Sequence, residues 1–161
     1  MPRRGPTLGD PTDFSYRINK VTKIIDGDTI DVILDLGFDI LHKSRVRLFG
    51  IDTPESRTRD KVEKKFGLAS KARLKELMPI GSMQILKTQI DKSGEDKKGK
   101  FGRILGDFII PDDDTLSTTM VTTIMINEGY AVAYHGQNKD EVEQAHLNNR
   151  ERLIEEGKVK L

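Results

Sequence analysis

Residues 16–36, YRINKVTKIIDGDTIDVILDL, decide how the chain begins to fold. Strand-forming residues run from Tyr16 to Ile25, Asp26 and Gly27 supply a hairpin-turn signal, and apolar residues then alternate at Ile30, Val32 and Leu34. Alternation with a period of two turns one face of a strand toward a core, so the segment predicts a β-hairpin. Gly37 and Asp39 break the pattern, and a third strand is expected over Ser44–Ile51 with Val46, Leu48 and Phe49 as candidate core residues.

After Pro54 the period changes. Val62, Phe66, Ala69 and Leu77 share one face of a helix that Pro79 and Gly81 terminate, and its other face is rich in Lys and Arg. Met83–Ile90 and Phe101–Ile110 read as two more strands, separated by the charged, glycine-containing loop Asp91–Lys100. Ser117–Glu128 predicts a second helix stopped by Gly129, and Asp140–Glu156 a third with Asp140 as its N-cap. Three strands, a helix, two strands and two helices match an α+β class, a five-stranded OB-fold β-barrel with three α-helices. Residues 1–13, with three prolines and two glycines, are expected to be a disordered tail, and residues 14–161 one domain.

Composition narrows the chemistry. The 27 basic and 26 acidic residues of this 161-residue chain nearly cancel, so any anion-binding surface must be local. There is no cysteine, which removes disulfides, thiolate catalysis and cysteine-based zinc sites. Arg3 and Arg4 are followed by polar and Pro/Gly-rich residues rather than an apolar signal segment, and no run approaches a membrane span. The expectation is a soluble, cytoplasmic protein without membrane attachment. No heptads push toward assembly, so a monomer is expected.

Three short segments concentrate groups suited to phosphate ester chemistry: Asp26-Gly27-Asp28-Thr29, then Arg47 with Asp52-Thr53-Pro54-Glu55, then Gly102-Arg103. They offer hard carboxylate oxygens for Ca²⁺ or Mg²⁺, two guanidinium forks for a phosphate, and a spare carboxylate to handle a water. Each has an ordinary reading when taken alone. Asp is common beside a turn glycine, and an arginine on a strand is often simply exposed. His42, His135 and His146 lack ligand spacing, so surface or packing roles are expected of them. Tyr130 and Tyr134 are candidates for core packing, or for stacking on a base, the latter favouring Tyr134.

The combination resembles the staphylococcal-nuclease-like nucleases. VTKIIDGDTIDV (21–32) looks like that family's first hairpin, RVRLFGIDTPE (45–55) like its third strand and loop, and GKFGRILGDF (99–108) like its fifth strand. MINEGYAVAY (125–134) and HLNNRERL (146–153) extend the resemblance through the last two helices, so that it covers Ile18–Leu153. The resemblance implies that Asp28 and Asp52, with the backbone carbonyl of Thr53, hold Ca²⁺. It implies Glu55 as general base or water-orienting group, and Arg47 and Arg103 as the clamp on the scissile phosphate. Lys100 and Tyr134 take positions that contact substrate, through a phosphate and a nucleotide respectively. The implied activity is Ca²⁺-dependent cleavage of DNA, leaving RNA open as a second substrate, with low sequence specificity and 3′-phosphate ends. Phe101 stands where the family's best-known member has tyrosine, a departure that bears on substrate preference. The rival reading is an OB-fold nucleic-acid-binding module that has lost catalysis; its mark would be loss of those carboxylates or arginines, and all are present here.

Overall fold

The computed structural model describes residues 14–89, 98, 102–111 and 118–161. Among these described residues, eight strands and three helices follow in chain order: β1 (Phe14–Asp26), β2 (Thr29–Asp35), β3 (Leu41–Leu48), β4 (Ile51–Asp52), α1 (Lys61–Leu77), β5 (Ile85–Thr88), β6 (Ile104–Pro111), β7 (Thr118–Met120), α2 (Val121–Asn127), β8 (Val132–Ala133) and α3 (Lys139–Glu155). The main sheet runs β3-β2-β1-β5-β6-β7, and a parallel pairing of β3 with β6 closes its five long strands into a barrel. The expected OB-fold α+β architecture is present. The proposed tail, residues 1–13, lies outside the described residues.

Strand β1 closes the barrel by breaking strict alternation. Its residues in the main core, Ile18, Val21 and Ile24, fall every third position, whereas those of β2, Ile30, Val32 and Leu34, fall every second. The two patterns are reconciled by register shifts between Ile18 and Lys20, Val21 and Lys23, and Ile24 and Asp26. Each extra residue lets the next apolar side chain face inward again and increases the local twist, which curls the sheet. Val46, Leu48, Leu86 and Phe108 fill the interior, Leu74 and Met78 of the α1 end cover it, and Val121 and Met125 of α2 pack against it. A second cluster of Phe66, Leu153 and Val159 joins α1 to the C-terminal segment.

Several expectations are corrected. Phe49 is 39% exposed rather than in the core, because it follows the inward-facing Leu48 directly and so takes the outer face with Arg47. Helix α1 buries Phe66, Gly67, Ser70 and Leu74, while Val62 is exposed; small residues form part of the docking face that a purely apolar stripe misses. Helix α2 begins at Val121, not Ser117, since Thr118–Met120 pair with Ile109–Pro111 as a short strand, which suits a threonine-rich run. Asn138, not Asp140, caps α3: its side chain accepts a hydrogen bond from Glu141 N at 2.9 Å, and Asp140 lies in the first turn.

The N-cap of α2, Met120, has no side chain to accept a bond, and Asp107 of β6 does so in its place. Asp107 accepts from Thr122 N at 3.2 Å, from the Thr122 hydroxyl and from Phe108 N at 2.9 Å. Burial raises its pKa despite these donors. A carboxyl raised in the folded state contributes stability below its unfolded pKa, near 3.9, that is lost as pH rises through the folded value. Unfolding free energy is therefore expected to decline across that window in the wild type and to be flatter in Asp107→Asn, as read by urea titration at a series of pH values. Superimposable curves would refute this. Asp107→Ala should cost about 1–3 kcal/mol by leaving the Thr122 donors unsatisfied.

Candidate active site

The site forms where the β1–β2 turn, the end of β3 and the loop after β4 meet. Asp26 pairs with Thr29, so Gly27 and Asp28 make the turn. A Cβ on Gly27 would lie 2.8 Å from Ser70 Cβ of α1, so glycine is required there for close approach. Gly67, one helical turn earlier, faces the backbone of Glu55 and Ser56 in the same manner. Small residues on α1 thus set the positions of both loops. Ser56 donates from its hydroxyl to Asp26 and Arg57 Nη2 lies 3.2 Å from the same carboxylate, tying the Glu55 loop to the hairpin.

Asp26, Asp28, Thr29, Arg47, Asp52, Thr53, Pro54, Glu55 and Arg103 line one cavity of about 250 Å³. Arg47 is opposite Thr29 across the β2–β3 ladder and points away from the barrel interior, the face that Val46 and Leu48 occupy. Its Nη1 lies 3.1 Å from Asp28 Oδ2 and donates to Leu48 O at 3.0 Å, while Nη2 donates to Ile51 O at 3.2 Å. The guanidinium is thereby held in one plane. Asp28 Oδ1 accepts from Thr29 Oγ1 at 2.9 Å. Glu55 has its pKa raised, first by burial and then by the charges of Asp26, Asp28, Glu63 and Asp52. A carboxyl surrounded by other carboxylates marks a place where a cation is electrostatically favoured.

Asp52 is held from a distant part of the chain. His146 of α3 places Nε2 2.7 Å from Asp52 Oδ2, and its side chain is 15% exposed. The sequence reading expected only a surface or packing role for His146. The contact spans 94 residues, so no local spacing could signal it. Tyr134 is 47% exposed and lines a neighbouring cleft of about 720 Å³ that shares Arg47, Asp52 and Pro54 with the central cavity. Tyr130 instead packs against both hydrophobic clusters. Lys100 lies outside the described residues.

A sequence profile of the family described as Staphylococcal nuclease homologue matches residues 45–161. The chain belongs to that family. It is 32% identical over 120 residues to the Micrococcal nuclease of Shigella flexneri, an alignment that covers 74% of this chain and 60% of the relative. It is 31% identical over 131 residues to Endonuclease YncB of Bacillus subtilis (strain 168), covering 80% of this chain and 54% of the relative. The chain thus spans a little over half the length of these two family relatives.

The donor set can be tested against a divalent cation. Among the described residues, no three His, Asp or Glu side chains converge as ligands. Asp28, Asp52 and the Thr53 carbonyl nevertheless suit a hard ion that keeps several waters, which is how Mg²⁺ and many Ca²⁺ sites are completed. No helix among the described residues is long and apolar enough to cross a membrane.

Proposed function

We propose that this chain is a nuclease that hydrolyses phosphodiester bonds of DNA, with RNA as a candidate second substrate, in a Ca²⁺-dependent reaction of low sequence specificity leaving 3′-phosphate ends. The observation that carries the reading is the convergence of Asp28, Arg47, Asp52, Glu55 and Arg103 on one cavity from three separate stretches of chain. The nuclease names of both family relatives support it.

In this reading Asp28, Asp52 and the Thr53 carbonyl hold Ca²⁺, which when bound supplies charge neutralisation at a phosphate oxygen. Asp28, paired with Arg47 in this structure, would be a ligand of the ion when it is bound, and Arg47 would hold the phosphate by its guanidinium. Arg103 faces the same cavity and adds a second fork. Glu55 orients the attacking water and takes its proton; its raised pKa keeps it basic enough to do so once ionised. Water attacks phosphorus, the P–O5′ bond breaks, and the leaving O5′ takes a proton from solvent to become a 5′-hydroxyl. Sites of this kind read phosphate and a stacked base rather than groove edges, and Tyr134 in the adjoining cleft is the ring for that stacking. Lys100, outside the described residues, is retained as a proposed phosphate contact.

The test is cleavage of plasmid and of labelled single-stranded DNA in Ca²⁺, Mg²⁺ or chelator, with Glu55→Gln alongside. Calcium-dependent cutting that Glu55→Gln lowers by roughly 10²–10⁴-fold is expected. Salt-sensitive DNA binding without cutting in any metal would favour the binding-module reading.

Because His146 orients Asp52, His146→Ala is expected to weaken Ca²⁺ binding by about 10–100-fold, as loss of an outer-shell partner does. His146→Gln, which keeps a donor, should recover part of the affinity. Calorimetric titration with Ca²⁺ reads this without reference to turnover; unchanged affinity in His146→Ala would refute the role.

A further inference from the structure

The cavity around Arg47 does not end at the reacting phosphate. A cleft of about 420 Å³ shares Asp26, Thr29 and Arg103 with it and adds Arg45 and Arg57. A third, of about 380 Å³, shares Arg45 and continues to Lys43, Ser44 and Thr22. The clefts form a row along the outer face of β3. Arg47, Arg45 and Lys43 are alternate residues of that strand, opposite Thr29, Asp31 and Ile33 of β2. Their side chains therefore leave the same face at intervals of about 6.6 Å.

We propose that this row is a binding track for the phosphates of nucleotides flanking the scissile bond, with Arg45 and Lys43 as its added contacts. The proposal deepens the nuclease reading and rests on it for the identity of the polymer. A single strand has a flexible backbone that follows positively charged grooves, and evenly spaced cations on a strand present such a groove. The molecule as a whole carries a net charge of only +1, so attraction for a polyanion has to come from a local array.

Arg45 is paired with Asp31, Nε to Oδ1 at 2.7 Å and Nη2 to Oδ2 at 3.0 Å. The pair uses one edge of the fork and holds the guanidinium in place, and Nη1 with the second Nη2 hydrogen is left for a phosphate. With its side chain 50% exposed, the pair itself contributes little to stability, so Arg45 is placed for binding more than for folding. Lys43 is exposed and has no carboxylate partner among the described residues. Thr22, whose hydroxyl donates to Asp31 O at 3.0 Å, and Ser44, whose hydroxyl lies 2.7 Å from His42 Nδ1, line the far end of the row.

The experiment compares the wild type with Lys43→Gln/Arg45→Gln, and with Lys64→Gln/Lys75→Gln as a control that removes equal charge from α1, away from all three clefts. Binding of a labelled 15-residue oligothymidylate in chelator is measured across salt concentrations. The track variant should bind roughly tenfold more weakly at low salt, with the slope of log K against log salt reduced by about 1.4, the value for two lost contacts to a single strand. The control should keep most of the affinity. Cleavage in Ca²⁺ of the same oligonucleotide and of a thymidine dinucleotide forms the second arm: the track variant should lose kcat/KM on the longer substrate through KM, and keep its rate on the dinucleotide. Equal losses in track and control variants, an unchanged salt slope, or equal losses on both substrates would overturn the track. If the wild type cuts neither substrate with any divalent ion, the nuclease reading fails, and the binding arm still decides whether the track exists.

Discussion

Arg47→Lys is expected to lower kcat by about a hundredfold or more while leaving the fold intact. The wild-type guanidinium reaches Asp28 and the carbonyls of Leu48 and Ile51 at once, and so arrives at the phosphate already oriented. An ammonium is a point charge with three donors on a flexible stem; meeting the same carbonyls would leave it no planar fork for two equatorial oxygens. The loss belongs to the transition state, where the phosphoryl oxygens gain charge, so kcat should fall far more than KM rises. Single-turnover cleavage of a labelled oligonucleotide at saturating protein separates the two, and thermal unfolding controls for the carbonyl contacts. Wild-type turnover in Arg47→Lys would remove Arg47 from the phosphate clamp.

Gly67→Ala should damage activity from the far side of the loop. A Cβ at this position would lie 2.6 Å from Ser56 N and nearer still to the Glu55 carbonyl, both of them backbone atoms without a rotamer to yield. Ser56 is 3% exposed and bonded to Asp26, so the strain passes to the Glu55 loop and the hairpin turn together. Helix propensity alone would favour alanine by about 1 kcal/mol. Overpacking outweighs it, at about 1–3 kcal/mol of lost stability. A displacement near 1 Å at a reacting group costs about a hundredfold in rate, so kcat/KM is expected to fall by that order at temperatures where the variant is still folded. Full activity with a higher melting temperature would show that the loop gives way and that Gly67 does not position Glu55.

The two variants approach one cavity by routes of different legibility. Arg47 was readable because period-2 alternation puts it on the face opposite Val46 and Leu48, and because IDTPE follows in a recognisable order. Gly67 was hidden inside a helical pattern read for its apolar residues, although contact with a loop backbone selects against a side chain. Phe49 was misplaced by departing from that same alternation, which puts the residue after Leu48 on the outer face with Arg47. Asn138, which the sequence reading did not weigh beside Asp140, is the cap, because acceptors two residues apart are equivalent until the geometry chooses.

What the sequence determined by itself was local and repetitive: the β1–β2 hairpin and the order of the five long strands and three helices. These follow from steric preferences and from the periodic burial of apolar side chains, which a window of ten residues contains. The tertiary structure alone decided the three bulges that let β1 curl, the small-residue docking of α1 on both site loops, the cap that Asp107 lends to α2, and the grip of His146 on Asp52. Each of these joins groups far apart in the chain, and its energy depends on a distance that exists only after the barrel has closed.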